Sequence, residues 1–351
     1  MEGEGGIITF IFTGVYGEDI PRDATRVIIH ESVSVIPSLV FRRHPNVVEV
    51  ICHDGVKEIE PFVFDSCPRL KRVIMPGVKV IGEWAFFNTA LTYVECGKLE
   101  VIGENAFCRC ESLTEINLPS IIVVRTSAFL KCQSITKVTF GKKIESIRFE
   151  AFHGCSSLER ITVPLKDNIL AYDVFDTECT NLKCINLIDE EMLHETAAAL
   201  LRDEWRDDMK AEMNSIKQIL SRYNDRYEKE DISLEIQEWI STVRLKIFCY
   251  KKQHIRVLKK ATITIEEVFP RDIVMNNVVP FLELPSHTFE GEDDDSSFEA
   301  SEEEDEDDLG EGRSEDNEGE EDEEGGSNNE ESSSSDGSNE DGRKRRRMAN
   351  D

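Results

Sequence analysis

The sequence predicts a β-solenoid of about seven turns with parallel strands, followed by an α-helical hairpin and a disordered acidic tail. Three observations carry this reading. Seven phenylalanines (Phe41, Phe64, Phe86, Phe107, Phe129, Phe152 and Phe175) recur at separations of 23, 22, 21, 22, 23 and 23 residues. From Leu193 the apolar residues step by three or four instead, which is helical spacing. Over residues 290–342 nearly every side chain is Glu, Asp, Gly, Ser or Asn.

A repeat of 20–29 residues is the mark of a leucine-rich-repeat solenoid, and other columns keep step with the phenylalanine. About six residues after it comes an aliphatic residue: Val47, Leu70, Leu91, Leu113, Ile135, Leu158 and Leu182. Three further on lie Val50, Val73, Val94, Ile116, Val138, Ile161 and Ile185, and two beyond those Cys52, Met75, Cys96, Leu118, Phe140, Val163 and Leu187. The last two columns alternate with more polar neighbours, as in a strand with one buried face. Another apolar residue precedes each bend, from Ile36, Ile59 and Ile81 to Ile102, Val124 and Ile147. One turn is therefore a short strand, a bend that carries the phenylalanine inward, and a longer strand. No such turn buries its apolar face alone, so neighbours must do it for one another and the ends must be covered. Ile7–Ile29 reads as the N-terminal cap and the helices after Leu187 as the C-terminal cap. The segments are 1–188 for the solenoid with its cap, 189–288 for the helical hairpin, and 289–351 for the tail.

These residues resemble the BspA-like leucine-rich-repeat proteins of the diatom type, a solenoid with a C-terminal helical cap. The resemblance rests on "IGEWAF" (Ile81–Phe86), "IGENAFCRCESLTEINLPS" (Ile102–Ser120), "AFHGCSSLERITVPL" (Ala151–Leu165), "LHET" (Leu193–Thr196) and "DIVMNNVVPFLELP" (Asp272–Pro285). It covers roughly residues 10–285 and implies an interaction module, with no catalytic residues to carry over. The chain departs from the pattern at Asn88–Ala90, where the turn is one residue short and lacks its cysteine.

Ten cysteines raise disulfides or zinc as alternatives, but position favours packing. Cys67, Cys110, Cys132 and Cys155 lie three residues after a repeat phenylalanine and Cys179 four after; with Cys52 and Cys96 they should face the core, where a free thiol behaves as a small apolar group. Cys108-Arg109-Cys110 is too tight for the usual zinc spacing. No metal and no cofactor is expected. Cys184 turns outward on its strand.

In the helical segment Leu193, Ala197, Leu200, Trp205, Met209, Met213, Ile216, Leu220 and Tyr223 share one face. After a polar break at Asn224–Asp231, Ile236, Ile240, Val243, Ile247, Tyr250, His254, Val257 and Ala261 repeat the pattern until Pro270. Two helices of roughly 30 residues would pair antiparallel, a short coiled-coil-like hairpin. Its face serves as a cap, or as a dimer or partner surface as well. His254 reads as a packed residue.

Residues 290–351 hold 28 acidic and six basic side chains, a net of −22 out of the chain's −30. Such a stretch cannot bury enough apolar surface to offset its ordering entropy. Arg343, Lys344, Arg345, Arg346 and Arg347 then form a basic cluster, which reads as a nuclear-localisation signal or as a charge-balancing end. Ser296, Ser301, Ser333 and Ser338 each stand three residues before an acidic one, the arrangement acidophilic kinases favour. In organisation only, this layout resembles the acidic leucine-rich nuclear phosphoproteins. The amino terminus has no basic n-region and no run reaches membrane-span length, so an intracellular protein is expected, the nucleus over the cytoplasm.

The leading functional expectation is a non-enzymatic protein–protein interaction scaffold. Its surface would be the outward strand column Glu49, Arg72, Tyr93, Glu115, Lys137 and Arg160, with Ile51, Ile74, Glu95, Asn117, Thr139 and Thr162 beside it. Mixed charge around a tyrosine suits a protein or peptide better than nucleic acid, so no direct nucleic-acid or membrane binding is expected. The alternative makes the tail the active element, a chaperone or buffer for basic nuclear proteins such as histones. No phosphate-binding glycine loop, His–carboxylate metal spacing or nucleophile motif points to an enzyme.

Overall fold

The computed structural model describes residues 6–271 apart from Tyr16, Thr177, residues 226–230, Glu267, Phe269 and Pro270. The tail, its four serines, the basic cluster 343–347, Pro270 and the Asp272–Pro285 motif lie outside the described residues.

The strands run β1 (Thr9–Phe12), β2 (Arg26–Ile29), β3 (Val35–Ile36), β4 (Glu49–Ile51) and β5 (Glu58–Ile59). Next come β6 (Arg72–Ile74), β7 (Val80–Ile81), β8 (Tyr93–Glu95), β9 (Val101–Ile102) and β10 (Glu115–Leu118). The last are β11 (Val123–Val124), β12 (Lys137–Phe140), β13 (Ser146–Ile147), β14 (Arg160–Val163) and β15 (Cys184–Leu187). Every pairing is parallel, each turn giving one longer strand to one face and a two-residue strand to the other. The short strands make one six-stranded sheet, β3 through β13, without a gap.

Between the faces the phenylalanines stack ring on ring. From Phe41 to Phe152 successive centroids are 5.2–5.3 Å apart with planes within 11°, and Phe175 continues the column at 6.0 Å. A residue with positive φ stands two positions before each ring and, from Phe41 to Phe152, another stands two after: Leu39 and Arg43, Phe62 and Ser66, Trp84 and Asn88, and so on to Glu150 and Gly154. These left-handed residues make the sharp bends that turn the rings inward, and most are not the glycine or asparagine that would have signalled them. Gly103 is required for another reason. A Cβ there would meet the Gly82 carbonyl carbon at 2.6 Å, so successive turns approach too closely at this corner for any side chain.

The cysteine column lies in the core as its spacing predicts. Cys67 donates its thiol to Phe41 O (3.0 Å), Cys132 to Phe107 O (3.1 Å), Cys155 to Phe129 O (3.2 Å) and Cys179 to Phe152 O (3.2 Å). Each thiol thus occupies a carbonyl of the preceding turn, a polar duty beyond packing. Burial pushes the thiols of Cys52, Cys67, Cys96 and Cys179 up to about 12.

The N-terminal segment joins the sheet rather than lying across its end: β1 pairs with β2 in the same parallel register. Phe12 closes the column by meeting Phe41 edge-on, 5.2 Å away at 67°. The outer edge of β1 keeps Ile7, Ile8 and Ile11 exposed.

The helical segment has three helices, not the two expected: α1 (Glu190–Ala198), α2 (Asp203–Asp225) and α3 (Ile232–Glu266). The first apolar run breaks at residues 199–202 because side chains there take over the backbone. His254, buried on α3, accepts the Leu201 N–H at 3.3 Å, and Arg206 donates to Leu200 O. Helices α2 and α3 pair antiparallel, with Trp239 Nε1 on Glu212 O (2.9 Å) and Tyr250 Oη and Lys246 Nζ on Asp208 (2.7 and 3.0 Å). The start of α3 then seals the solenoid. Gln237 Oε1 accepts the N–H groups of Ile169 and Leu170 (3.0 and 3.1 Å), and Ser233 Oγ those of Val174 and Phe175 (3.0 and 3.3 Å). Asp231 takes Asp173 N–H at 2.6 Å while capping its own helix through Ser233 N–H at 2.8 Å. These oxygens stand where carbonyls of a further turn would stand.

Candidate interaction surface

Strand alternation sends Val50, Val73, Ile116, Val138 and Ile161 into the core and their neighbours outward. Register aligns the outward residues into rows across the turns. Arg26, Glu49, Arg72 and Tyr93 follow one another, as do Glu115, Lys137, Arg160 and Cys184. The structure therefore brings the six predicted residues together as two sets of three, Glu49–Arg72–Tyr93 and Glu115–Lys137–Arg160, rather than as one row.

The first set is a connected network. Glu49 takes Arg26 at 2.6 Å and Arg72 at 3.4 Å; the Arg72 guanidinium lies 4.8 Å from the Tyr93 ring centroid, and Tyr93 Oη donates to Glu95 at 3.3 Å. Arg26 extends this network and was not anticipated from the sequence. In the second set, among the described residues, Glu115, Lys137 and Arg160 form no ion pair. Their charges stand open to solvent.

Between the sets the sheet is broken. Strands β1, β2, β4, β6 and β8 form one sheet and β10, β12, β14 and β15 another; β8 and β10 are not hydrogen-bonded neighbours. The cause is the short turn. Leu91 follows Phe86 by five residues where Leu70 follows Phe64 by six. Thr89 occupies the missing cysteine's place and donates to Phe86 O in its own turn (3.0 Å), where Cys110 reaches back to that same carbonyl (3.2 Å) from the next. The deficit leaves β8 in register with β6 and is absorbed on its other side.

At neighbouring steps the residue before the strand lends its carbonyl to the next turn: Val48 to Arg72 (3.1 Å), Lys71 to Tyr93 (3.1 Å) and Thr136 to Arg160 (3.0 Å). The equivalent bond from Glu115 N–H to Thr92 O is not made among the described residues, and Asn117 O receives the Cys96 thiol at 3.7 Å instead of its N–H. Val94 is only half-buried as a result. A cleft of about 720 Å³ opens on this face, lined among others by Thr92, Tyr93, Glu95, Glu115, Asn117 and Lys137. The core beneath is continuous, since β7, β9 and β11 stay paired and Phe86 stacks on Phe107 at 5.2 Å. A step of 21 instead of 22 or 23 residues was the available signal for this cleft.

His53 Nε2 lies 3.1 Å from the His30 carbonyl oxygen, so these histidines meet through the backbone and not as a side-chain pair. Cys184, half-buried, donates to Asn186 Oδ1 at 2.7 Å.

Comparison with known proteins places these features. The family described as "BspA type Leucine rich repeat region" matches residues 22–98 and 79–195 in six copies. Among solved structures the chain is similar to a leucine-rich cell-surface protein of Faecalibacterium prausnitzii, at 22% identity and a TM-score of 0.32, over 40% of this chain and 52% of that one. The match thus spans about half the length of the Faecalibacterium protein. It is also similar to a leucine-rich-repeat protein of T. pallidum (23% identity, TM-score 0.38, 44% of this chain and 77% of the other). A third is the pneumococcal vaccine antigen PcpA (17% identity, TM-score 0.30, 51% and 65%). No curated protein matches the chain.

Proposed function

Through residues 22–195 this chain belongs to the BspA-type leucine-rich-repeat proteins, and from that premise we propose that it is a non-enzymatic scaffold that binds a protein partner on the outward face of its longer strands. Repeat regions of this class generally serve protein–protein interaction or adhesion. One observation carries the choice of face. Register sets Glu115, Lys137 and Arg160 side by side, exposed and unpaired among the described residues, beside a tyrosine that is 46% exposed. Open charges of both signs around an aromatic anchor suit a protein surface, where electrostatic complementarity selects the partner and hot spots hold it.

The test is affinity capture from cell extract with the full chain and its Arg72→Glu/Arg160→Glu variant, at low and moderate salt. Loss of the captured protein in the variant, with unchanged thermal stability, supports this face; equal capture by both proteins removes it. A truncation to residues 1–289 should retain the partner. If capture instead disappears with the tail and with salt, the partner is held by the polyanion and the alternative reading of a buffer for basic proteins takes over.

A further inference from the structure

We propose that the cleft between β8 and β10 is a docking site for an extended peptide segment carrying a lysine or arginine. The inference rests on the sheet-face reading above and names the kind of ligand that one part of that face takes.

The argument begins with backbone groups. In a parallel ladder, alternate residues direct both N–H and C=O to the same side. The Arg72–Tyr93 register and the bond from Met75 N–H to Glu95 O (2.9 Å) turn the backbones of Tyr93 and Glu95 toward β6. The carbonyl of Thr92, both backbone groups of Val94 and the N–H of Cys96 therefore face the cleft, while Thr92 N–H is held by Lys71 O (2.9 Å) and Cys96 O by Leu99 N–H (3.1 Å). Across it, the Glu115–Lys137 register and the bond from Thr136 N–H to Thr114 O (2.8 Å) commit alternate residues to β12, leaving Glu115 and Asn117 facing back. Two strand edges thus confront each other with donors and acceptors at a two-residue repeat. An extended main chain is the ligand whose own groups repeat in the same way, the complementarity used in strand addition.

Size and mobility fit as well. The cleft holds about 720 Å³, within the range of ligand sites. Cα atoms of β8 and β10 approach within 8 Å; one strand seated between two others needs about 9.6 Å, twice the usual spacing. The edges must part by at least about 1.6 Å, and the uninterrupted β7–β9–β11 ladder with the Phe86–Phe107 stack behind it supplies the hinge. Side-chain preference follows from the rim. Glu95 and Glu115 point outward on opposite lips, whereas Arg72 is already engaged by Glu49 and Tyr93. The charges at the cleft are Glu95, Glu115 and Lys137, a net of −1, so a basic side chain seated between the two carboxylates and the Tyr93 ring is favoured over an acidic one.

The test uses the full chain with two fluorescent heptapeptide pools, one fixed as arginine at the centre and the other as glutamate, all other positions random. We expect the arginine pool to bind at least tenfold tighter, and to slow amide exchange at Val94, Cys96, Glu115 and Asn117 at least tenfold. Glu95→Gln/Glu115→Gln should weaken that pool tenfold without moving the melting temperature. Inserting one residue between Thr89 and Ala90 restores the turn length and should abolish binding by closing the ladder. Equal binding of the pools, absence of binding, or full binding by the double variant overturns the proposal. The two readings fail separately. A captured protein lost on Arg72→Glu/Arg160→Glu, with no peptide-induced protection at the cleft, leaves the scaffold standing and removes the docking site.

Discussion

Raising the pH from 8 to 10 should strip this protein of much of its stability, and the buried thiols set the size of the effect. Cys52, Cys67, Cys96 and Cys179 each rise from the ordinary 9.0 to about 12, because an ionised sulfur in the core would lose its water. The folded chain therefore keeps these protons through pH 10 while the unfolded chain releases them from about pH 9. Above that point the unfolded state binds fewer protons, so stability falls as pH rises and is fully present below it. Over this interval each thiol contributes a loss of about 1.4 kcal/mol, one pH unit of differential ionisation. Four of them amount to roughly 5–6 kcal/mol, comparable with the whole stability of an ordinary domain, about 5–15 kcal/mol. Urea unfolding at pH 8, 9 and 10, followed by circular dichroism, reads the loss directly. The midpoint should fall little between pH 8 and 8.5 and steeply thereafter, and a Cys67→Ala/Cys179→Ala variant should show a shallower slope from a lower start. A midpoint level to pH 10, or rapid native-state reaction of these thiols with Ellman's reagent at pH 8, would refute the reasoning.

Other consequences are as specific. Gln237→Ala strips the acceptor from Ile169 and Leu170, leaving two buried N–H groups unsatisfied at about 1–3 kcal/mol each; Gln237→Glu, which keeps an oxygen there, should melt measurably higher than the alanine variant. Gly103→Ala forces Cβ against the Gly82 backbone and should cost about 1–3 kcal/mol in chemical denaturation, whereas Gly97→Ala, with open space around it, should cost a few tenths of that. Replacing Arg343–Arg347 with alanines should leave a fluorescent fusion outside the nucleus in live-cell imaging; undiminished nuclear signal would show that the cluster addresses no import receptor.

The repeat itself was legible because its requirements are local and recur. A phenylalanine every 21–23 residues, an aliphatic six later and a cysteine three later each fill the same place in the stack, so periodicity alone placed Phe107, Leu113 and Cys110 in the core. What escaped was set by neighbours or by backbone. Phe62 and Trp84 adopt left-handed φ although bulky residues rarely do, because the turns on either side hold them there. The break between α1 and α2 depends on His254, some fifty residues away, whose contact with Leu201 no helical pattern encodes. The outward row expected from the sequence is aligned in order but is not continuous. One missing residue before Leu91 was visible as a count, yet its effect, a parted sheet on one face over an unbroken one on the other, is a matter of where the deficit is absorbed. Arg26 went unlisted because the N-terminal segment read as a cap, and the cap contributes two strands, β1 and β2, to the same sheet.

The seal made by Asp231, Ser233 and Gln237 also says something about how this protein can change in length. These three oxygens fit the backbone of one particular turn, the last, and would not fit a new turn appended after it. Duplication or loss of a whole unit between Phe41 and Phe152 leaves that joint intact, because the interior turns present the same carbonyls to the next at the steps away from the β8–β10 break. Related chains should therefore vary in repeat number upstream while the final turn and the start of α3 are inherited together as a single piece.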